Sequence, residues 1–186
     1  MADGLFYNDL RAPLISADIA SVTLANTDKA LYPAAAFPVL GSNYFGFVGK
    51  KLKIKMFGRI TTAATPGNLT WDVYWNNGGD AALGTLIQSS AAVALQANQT
   101  NVSWCAEFSI YCRALGATGA LMCTGWSLFN VGVVLSTAQP VLIPAATAAQ
   151  TTVDLTLANI ISVQFKRSGS TAESMQVDDL DVIAMN

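Results

Sequence analysis

The chain has few side chains that could exchange a proton with a substrate or attack one. It contains no histidine, and its only glutamates are Glu107 and Glu173. Catalysis by a serine or cysteine nucleophile with a histidine base therefore lacks the base, and no motif places a lysine beside a nucleophile. Glycoside hydrolysis needs two facing carboxyl groups, whereas Glu107 is expected on the outer face of a strand near Arg113. The sequence predicts a protein that is not an enzyme.

Side chains that could hold a metal are also sparse. Asp178, Asp179 and Asp181 form the only acidic cluster, but adjacent side chains in a predicted strand point to opposite faces, which disfavours a calcium site. The three cysteines have no CxxC spacing, so neither a zinc site nor a disulfide framework is favoured. We predict no metal and no cofactor, while the sequence leaves a structural calcium ion open.

Two of the cysteines flank a predicted hairpin turn. Equal counting outward from the Gly116–Gly119 turn brings Cys112 and Cys123 roughly opposite each other. We expect them to lie close together and to stay reduced, because the chain has no secretion signal at its start and is expected to fold in a cytoplasm.

The aromatic residues fall into two groups. Trp71, Trp75, Trp104 and Trp126 could form a platform for stacking a sugar, but their neighbours within the predicted strands favour a place in the core. By contrast, Phe37, Tyr44, Phe45 and Phe47 cluster in a stretch without periodicity, where aromatic side chains often anchor an interface.

The composition restricts the partners of the protein. Of the 186 residues, 52% are hydrophobic and only 12% are charged, with a net charge of −2. Soluble domains carry about 25% charged residues, so either much of the surface is buried against neighbours or it is polar without charge. There is no basic field for nucleic acid and no apolar run of about 18 residues for a membrane span, so neither partner is predicted.

A period of two dominates the chain from about residue 49. In Lys51–Phe57 the lysines alternate with Leu52, Ile54 and Met56, which is typical of a strand with one solvent-exposed and one buried face. Similar segments recur between turn signals, and no long amphipathic helix is predicted. We therefore predict an all-β, jelly-roll-like β-sandwich of about eight strands over 49–186. Its predicted core comprises Leu52, Ile54, Met56, Trp71, Val73, Trp104, Phe108, Ile110, Leu155, Val163 and Phe165.

Residues 1–48 are predicted to form an extended N-terminal arm, in which 17–24 could pair as one short strand. Apolar side chains occur here without a period that would fold them alone, so we expect the arm to lie across its own body, a neighbouring subunit or a shell. A chain that begins near Gly49 is accordingly expected to keep its sheets and to lose assembly. The candidate interface residues are Leu5, Phe6, Leu10, Leu14, Ile15, Phe37, Tyr44, Phe45 and Phe47.

The order of strands and turns resembles a family of tailed-bacteriophage virion proteins of jelly-roll or related β-sandwich type. The resemblance covers about 40–184 and rests on four stretches and a turn, at 49–60, 65–73, 101–108, 116–119 and 153–156. It implies a non-catalytic decoration (cement) protein, assembled in the host cytoplasm, that sits on the capsid surface of the virion. Its implied partners are the major capsid protein and further copies of itself, as a homotrimer that matches the symmetry of the shell.

Other functions stay open at this stage. A phage tail or head fibre component that binds a host glycan would place a Trp or Tyr on the surface near the 76–80 loop. A main shell or tube protein and an unrecognised hydrolase are disfavoured, the first by the short chain without an obvious helix and the second by the missing histidine.

Overall fold

The fold is an all-β sandwich. A computed structural model describes residues 22–23, 27–30, 38–75, 84–130, 140–146, 149–168 and 173–185, and these contain strands and turns but no helix. None of the described residues therefore forms a helix that could span a lipid bilayer. The predicted all-β sandwich is confirmed, since two antiparallel sheets pack face to face.

Twelve strands occur in the described part of the chain, and seven of them have five or more residues. In chain order they are β1 (Val22–Thr23), β2 (Lys29–Ala30), β3 (Lys51–Thr61), β4 (Asn68–Trp75), β5 (Thr85–Ser89), β6 (Val93–Ala94), β7 (Val102–Ala114), β8 (Gly119–Phe129), β9 (Val141–Ile143), β10 (Thr151–Val153), β11 (Ile161–Arg167) and β12 (Ser174–Met185). The larger sheet has the order β1-β12-β3-β7-β8-β10, and β9 also pairs with β8. The smaller sheet has the order β2-β11-β4-β5, with β6 paired to β4.

The core lies between the sheets and is centred on an aromatic cluster. The ring of Trp71 from the smaller sheet lies 3.7 Å from the ring of Phe165, between centroids, and 5.2 Å and 5.4 Å from the rings of Trp104 and Phe108 in the larger sheet. All eleven predicted core residues are buried in one cluster, so that prediction is confirmed. Contacts of this kind stabilise the packing of one sheet against the other.

The absence of a side chain at Gly58 makes room for this cluster. Gly58 lies on the buried face of β3, and a Cβ built there would meet the ring of Trp104 at 2.6 Å and the backbone oxygen of Gln176 at 2.0 Å. Glycine is therefore required here by the close approach of the neighbouring strand and ring.

The register of the β7–β8 hairpin differs from the one obtained by counting equal numbers of residues outward from the turn. The amide of Gly119 donates to the carbonyl of Gly116 at 3.0 Å, as the predicted turn requires. A bulge between Cys112 and Ala114 then moves the register by one more residue, so that Cys112 pairs with Leu121 and Cys123 pairs with Ile110. The predicted opposition of Cys112 and Cys123 is wrong by two positions, although both thiols are free and buried.

Two short pieces before Gly49 pair with the sandwich. Strand β1 pairs with the edge of β12, and β2 pairs with the edge of β11, so each sheet gains one edge strand from this region. Leu40 and Phe45 are buried in the core of the body. This part of the predicted arm therefore lies on its own chain, which is one of the alternatives that the sequence left open.

Candidate binding surface

The outer face of the larger sheet holds the exposed side chains that could recognise a partner. On β3 the side chains of Leu52, Ile54 and Met56 point into the core, and the lysines at 51, 53 and 55 point outward. The same alternation places Phe57 on the lysine face, where 53% of the residue is exposed. An exposed phenylalanine beside three lysines makes this face amphipathic.

Phe57 belongs to an apolar patch, defined here as Phe57, Cys105 and Leu128. The three residues lie side by side, because β3 pairs Phe57 with Cys105 and β8 pairs Leu128 with Cys105. Leu128 is 39% exposed. Together with Ser103 and Asn130 they line a shallow hollow of about 300 Å³. The patch is a contiguous apolar surface that crosses three strands.

A second hollow, the aromatic groove, lies on the same face. It has a volume of about 470 Å³ and is lined by Lys51, Glu107, Ser109, Tyr111, Thr124, Gly125, Trp126, Leu142, Ile143 and Pro144. Trp126 lies between Glu107 and Leu142 in one row across β7, β8 and β9. Trp126 is 38% exposed and Leu142 is 62% exposed, so the groove presents apolar surface to solvent.

Charged and hydroxyl groups surround the rings of the groove. Lys53 Nζ lies 2.6 Å from Glu107 Oε1, and Lys51 Nζ lies 4.9 Å from the centroid of the Tyr111 ring. The Thr124 hydroxyl donates to the Tyr111 hydroxyl oxygen at 3.4 Å. This hydrogen bond, helped by the charge of Lys51, lowers the pKa of Tyr111.

The acidic cluster has a different geometry from the expected one. A bulge between Val177 and Asp179 breaks the alternation of β12, so that Asp178 is partly exposed and Asp179 and Asp181 are exposed. The expectation that neighbouring aspartates point to opposite faces is therefore wrong here. Arg59 donates to both carboxylate oxygens of Asp178, at 2.9 Å and 3.1 Å. Within the described ranges no three acidic or cysteine side chains are arranged to hold a metal ion.

The smaller sheet buries a polar cluster on one side of β4. Asp72 and Tyr74 alternate with Trp71, Val73 and Trp75 along this strand, and both are buried. The Tyr74 hydroxyl donates to Asp28 Oδ2 at 2.5 Å, Ser89 donates to Asp72, and Lys166 Nζ lies 3.3 Å from Asp72 Oδ2. Burial and the hydrogen bond with Asp28 raise the pKa of Asp72 to about 6.

The predicted interface residues are only partly within the described ranges. Leu5, Phe6, Leu10, Leu14, Ile15 and Phe37 lie outside the described residues, as does the 76–80 loop. Phe45 packs inside the body, with ring centroids 5.1 Å from Tyr44 and 6.1 Å from Trp75. Phe47 is exposed and Tyr44 is partly buried, so these two described members of the predicted set present surface to solvent.

The thiols are poor nucleophiles in this setting. Burial raises the pKa of Cys123 to about 12 and also raises the pKa of Cys105 and Cys112. A thiol reacts as its thiolate, so these groups are largely unreactive near neutral pH.

Sequence reasoning did not identify the aromatic groove. The four tryptophans were treated as one group, but Trp71, Trp75 and Trp104 are buried and Trp126 is exposed. The alternation of β8 contains the signal. Cys123 and Phe129 are an even number of residues apart and share the buried face, whereas Trp126 is an odd number of residues from each and lies on the opposite face.

Comparison with known proteins gives no family for this chain. No family model matches it, and no curated protein matches it significantly. Among solved structures, a legume lectin-like domain from Entamoeba histolytica has a TM-score of 0.28 at 8% identity, over 87% of this chain and 88% of that chain. The VP2 subviral particle of infectious bursal disease virus has a TM-score of 0.18 at 12% identity, over 99% of this chain and 39% of that chain. A structure of the Gx strain of the same virus has a TM-score of 0.16 at 11% identity, over 91% and 36% of the two chains. Scores this low carry no information on function.

Proposed function

We propose that this chain is a non-catalytic structural protein of a bacteriophage particle, a decoration protein that binds the shell of major capsid protein on the virion surface. The observation that carries the proposal is the apolar patch of Phe57, Cys105 and Leu128 on the outer face of the larger sheet. Contiguous apolar surface of this kind marks a site of contact with another protein.

The energetics of the patch fit a contact that is repeated many times. Complete burial of one large apolar side chain contributes about 1.5 to 3 kcal/mol, and Phe57 and Leu128 are already partly covered, so one patch supplies only a weak interaction. Many copies on a repeating shell, or three copies joined as a homotrimer, convert weak contacts into stable attachment. The low charge of the chain, 12% of residues, limits the desolvation cost of such a contact.

A second contact is proposed to come from the chain before β1. Residues 22–23 and 29–30 pair with the sandwich itself, so an arm that reaches a neighbour would use the residues that precede them. Phe47 and Val48 are exposed beside the entry to β3 and extend the apolar surface available to a partner. The alternative function, a fibre component that binds a host glycan, requires an exposed Trp or Tyr near the 76–80 loop. Tyr74 and Trp75 beside this loop are buried, and the loop itself lies outside the described ranges.

The test is co-sedimentation of the purified protein with shells of the major capsid protein from the same particle, followed by electron microscopy. Phe57→Asp and Leu128→Asp each place a charge in the patch and should weaken binding about tenfold or more, since about 1.4 kcal/mol corresponds to a factor of ten. Leu157→Asp is the matched control, because Leu157 is exposed but lies outside the patch. Equal binding by all three variants would refute the assignment of the patch.

A further inference from the structure

The aromatic groove contains one exposed tryptophan in a polar setting. Three of the four tryptophans are at most 3% exposed, whereas Trp126 is 38% exposed and lies beside Tyr111 and Thr124 in the groove. A ring that is apolar on its face and bordered by hydroxyl groups suits a ligand that alternates C–H surface with hydroxyls. A sugar ring has this character, because one side presents C–H groups and the edge presents hydroxyls.

The hydroxyl groups of the groove can both donate and accept hydrogen bonds. Thr124 and Tyr111 are already within 3.4 Å of each other, so their oxygens are held as a pair. Glu107 adds carboxylate oxygens that accept hydrogen bonds, and its own charge is balanced by Lys53 at 2.6 Å and Lys55 at 4.0 Å. Paired acceptors and donors of fixed geometry match adjacent hydroxyls on a sugar ring.

The charge of the groove is opposite in sign to that of the whole chain. Lys51 and Arg113 place cationic groups 4.9 Å and 5.6 Å from the centroid of the Tyr111 ring. Around the groove, strands β3 and β7 carry four cationic side chains and one carboxylate, which are Lys51, Lys53, Lys55, Arg113 and Glu107. The net charge of the whole chain is −2. This local excess of positive charge favours an anionic ligand.

We propose that the aromatic groove binds an acidic saccharide. One sugar ring stacks on Trp126, its hydroxyls bond to Thr124 and Glu107, and its carboxylate or sulfate pairs with Lys51. The volume of about 470 Å³ is within the range of small-molecule sites, about 300 to 1,000 Å³. The site uses none of the three residues of the apolar patch and does not depend on binding to a shell.

The experiment titrates the full chain with trigalacturonic acid, 3′-sialyllactose and a chondroitin sulfate tetrasaccharide, using cellotriose and lactose as neutral probes. Because Trp126 is the exposed tryptophan, binding is expected to change its fluorescence and to protect it from acrylamide quenching. At least one acidic probe should bind saturably below about 10 mM, and the neutral probes should bind about tenfold or more weakly. Calorimetry measures the same affinities without relying on the fluorescence of Trp126.

Variants of the groove separate stacking from charge. Trp126→Ala should weaken binding about tenfold, and Lys51→Gln should weaken binding of the acidic probe by a similar factor and reduce its salt dependence. Thr124→Val offers a third variant that keeps both the ring and the charge, and it should also weaken binding. Leu157→Ala is the control with unchanged affinity. The proposal is overturned if no acidic probe binds, if neutral probes bind equally well, or if all three groove variants keep full affinity.

Discussion

Asp72 should make the protein less stable as the pH rises from about 4 to about 7. Its carboxyl group is fully buried and faces Asp28 from the segment before β2, Ser89 from β5 and Lys166 from β11. Burial and the hydrogen bond with Asp28 raise the pKa of Asp72 from 3.8 to about 6, against the opposing effects of Ser89 and Lys166. The perturbation that isolates this group is Asp72→Asn, which keeps the shape and removes the titration.

The sign and the size of the effect follow from the two pKa values. Below a pH of about 3.8 both the folded and the unfolded chain hold the proton, and Asp72 adds no cost. Between that pH and about 6 the unfolded chain releases the proton while the folded chain keeps it, so stability is lost as the pH rises. A difference of about two pKa units corresponds to about 3 kcal/mol, or about 6 to 12 °C in Tm for a chain of this length.

The assay is urea unfolding followed by tryptophan fluorescence from pH 4 to pH 7.5. Other carboxyl groups titrate in this range, so the quantity to compare is the free energy of unfolding of Asp72→Asn minus that of the original protein. This difference should rise by about 3 kcal/mol in favour of the variant as the pH increases. Leu157→Ala changes an exposed side chain that has no titratable group and should give a flat difference. A flat difference for Asp72→Asn as well would refute the reasoning.

Three other measurements test the packing. Glu173→Gln removes the charge that lies 2.9 Å from buried Arg167 and should lower the free energy of unfolding by about 3 to 5 kcal/mol in urea titrations, whereas Arg167→Met combined with Glu173→Leu should cost less. Gly58→Ala should lower stability by about 1 to 3 kcal/mol or more in thermal unfolding, while Gly41→Ala, whose Cβ would meet nothing within 4 Å, should not. Thiol titration should find three reduced thiols after denaturation, and in the folded protein a slow reaction at Cys105 that is still faster than at Cys112 or Cys123, since those two are buried.

The alternation of the long strands could be read from the sequence because one face of each meets the core. A shift of one residue would expose every buried side chain of β3, so the pattern specifies which face is inside. In β3 the alternation that begins at Lys51 continues to Thr61, the end of the strand. Where apolar and polar residues alternate strictly, the local sequence contains the information that determines the strand.

Neither the positions of the bulges nor the burial of Asp72 on the smaller sheet could be predicted in the same way. The bulges at Val177/Asp179 and Cys112/Ala114 depend on the partner strand, and the second accounts for one of the two positions by which the predicted pairing of Cys112 with Cys123 is wrong. The burial of Asp72 depends on the segment around Asp28, which is distant in sequence. The aromatic groove likewise needs β7, β8 and β9 to be aligned before Trp126 and Tyr111 lie in one site.

The segment before β3 is therefore best tested by two truncations with different expected outcomes. A chain that begins at Asn26 keeps Asp28, β2, Leu40 and Phe45 and loses the two-residue strand β1 from the edge of β12. We expect it to retain most of the stability of the sandwich while losing trimer formation or shell binding. A chain that begins at Gly49 also removes Leu40 and Phe45, which are 1% and 2% exposed. Burial of each contributes about 1.5 to 3 kcal/mol, and β2 no longer covers the edge of β11.

Truncation at Gly49 should thus lower the free energy of unfolding by several kcal/mol, about 3 to 6 from these two side chains alone. From the sequence, by contrast, this truncation was expected to keep the sheets and to lose only assembly. Circular dichroism and urea unfolding measure the stability, and sedimentation velocity measures assembly of the same samples. If the chain from Gly49 were as stable as the full protein, the contacts of Leu40 and Phe45 would contribute little to the fold. If the chain from Asn26 assembled and bound shells like the full protein, the residues before it would have no part in assembly, and the contact would have to come from the sandwich alone.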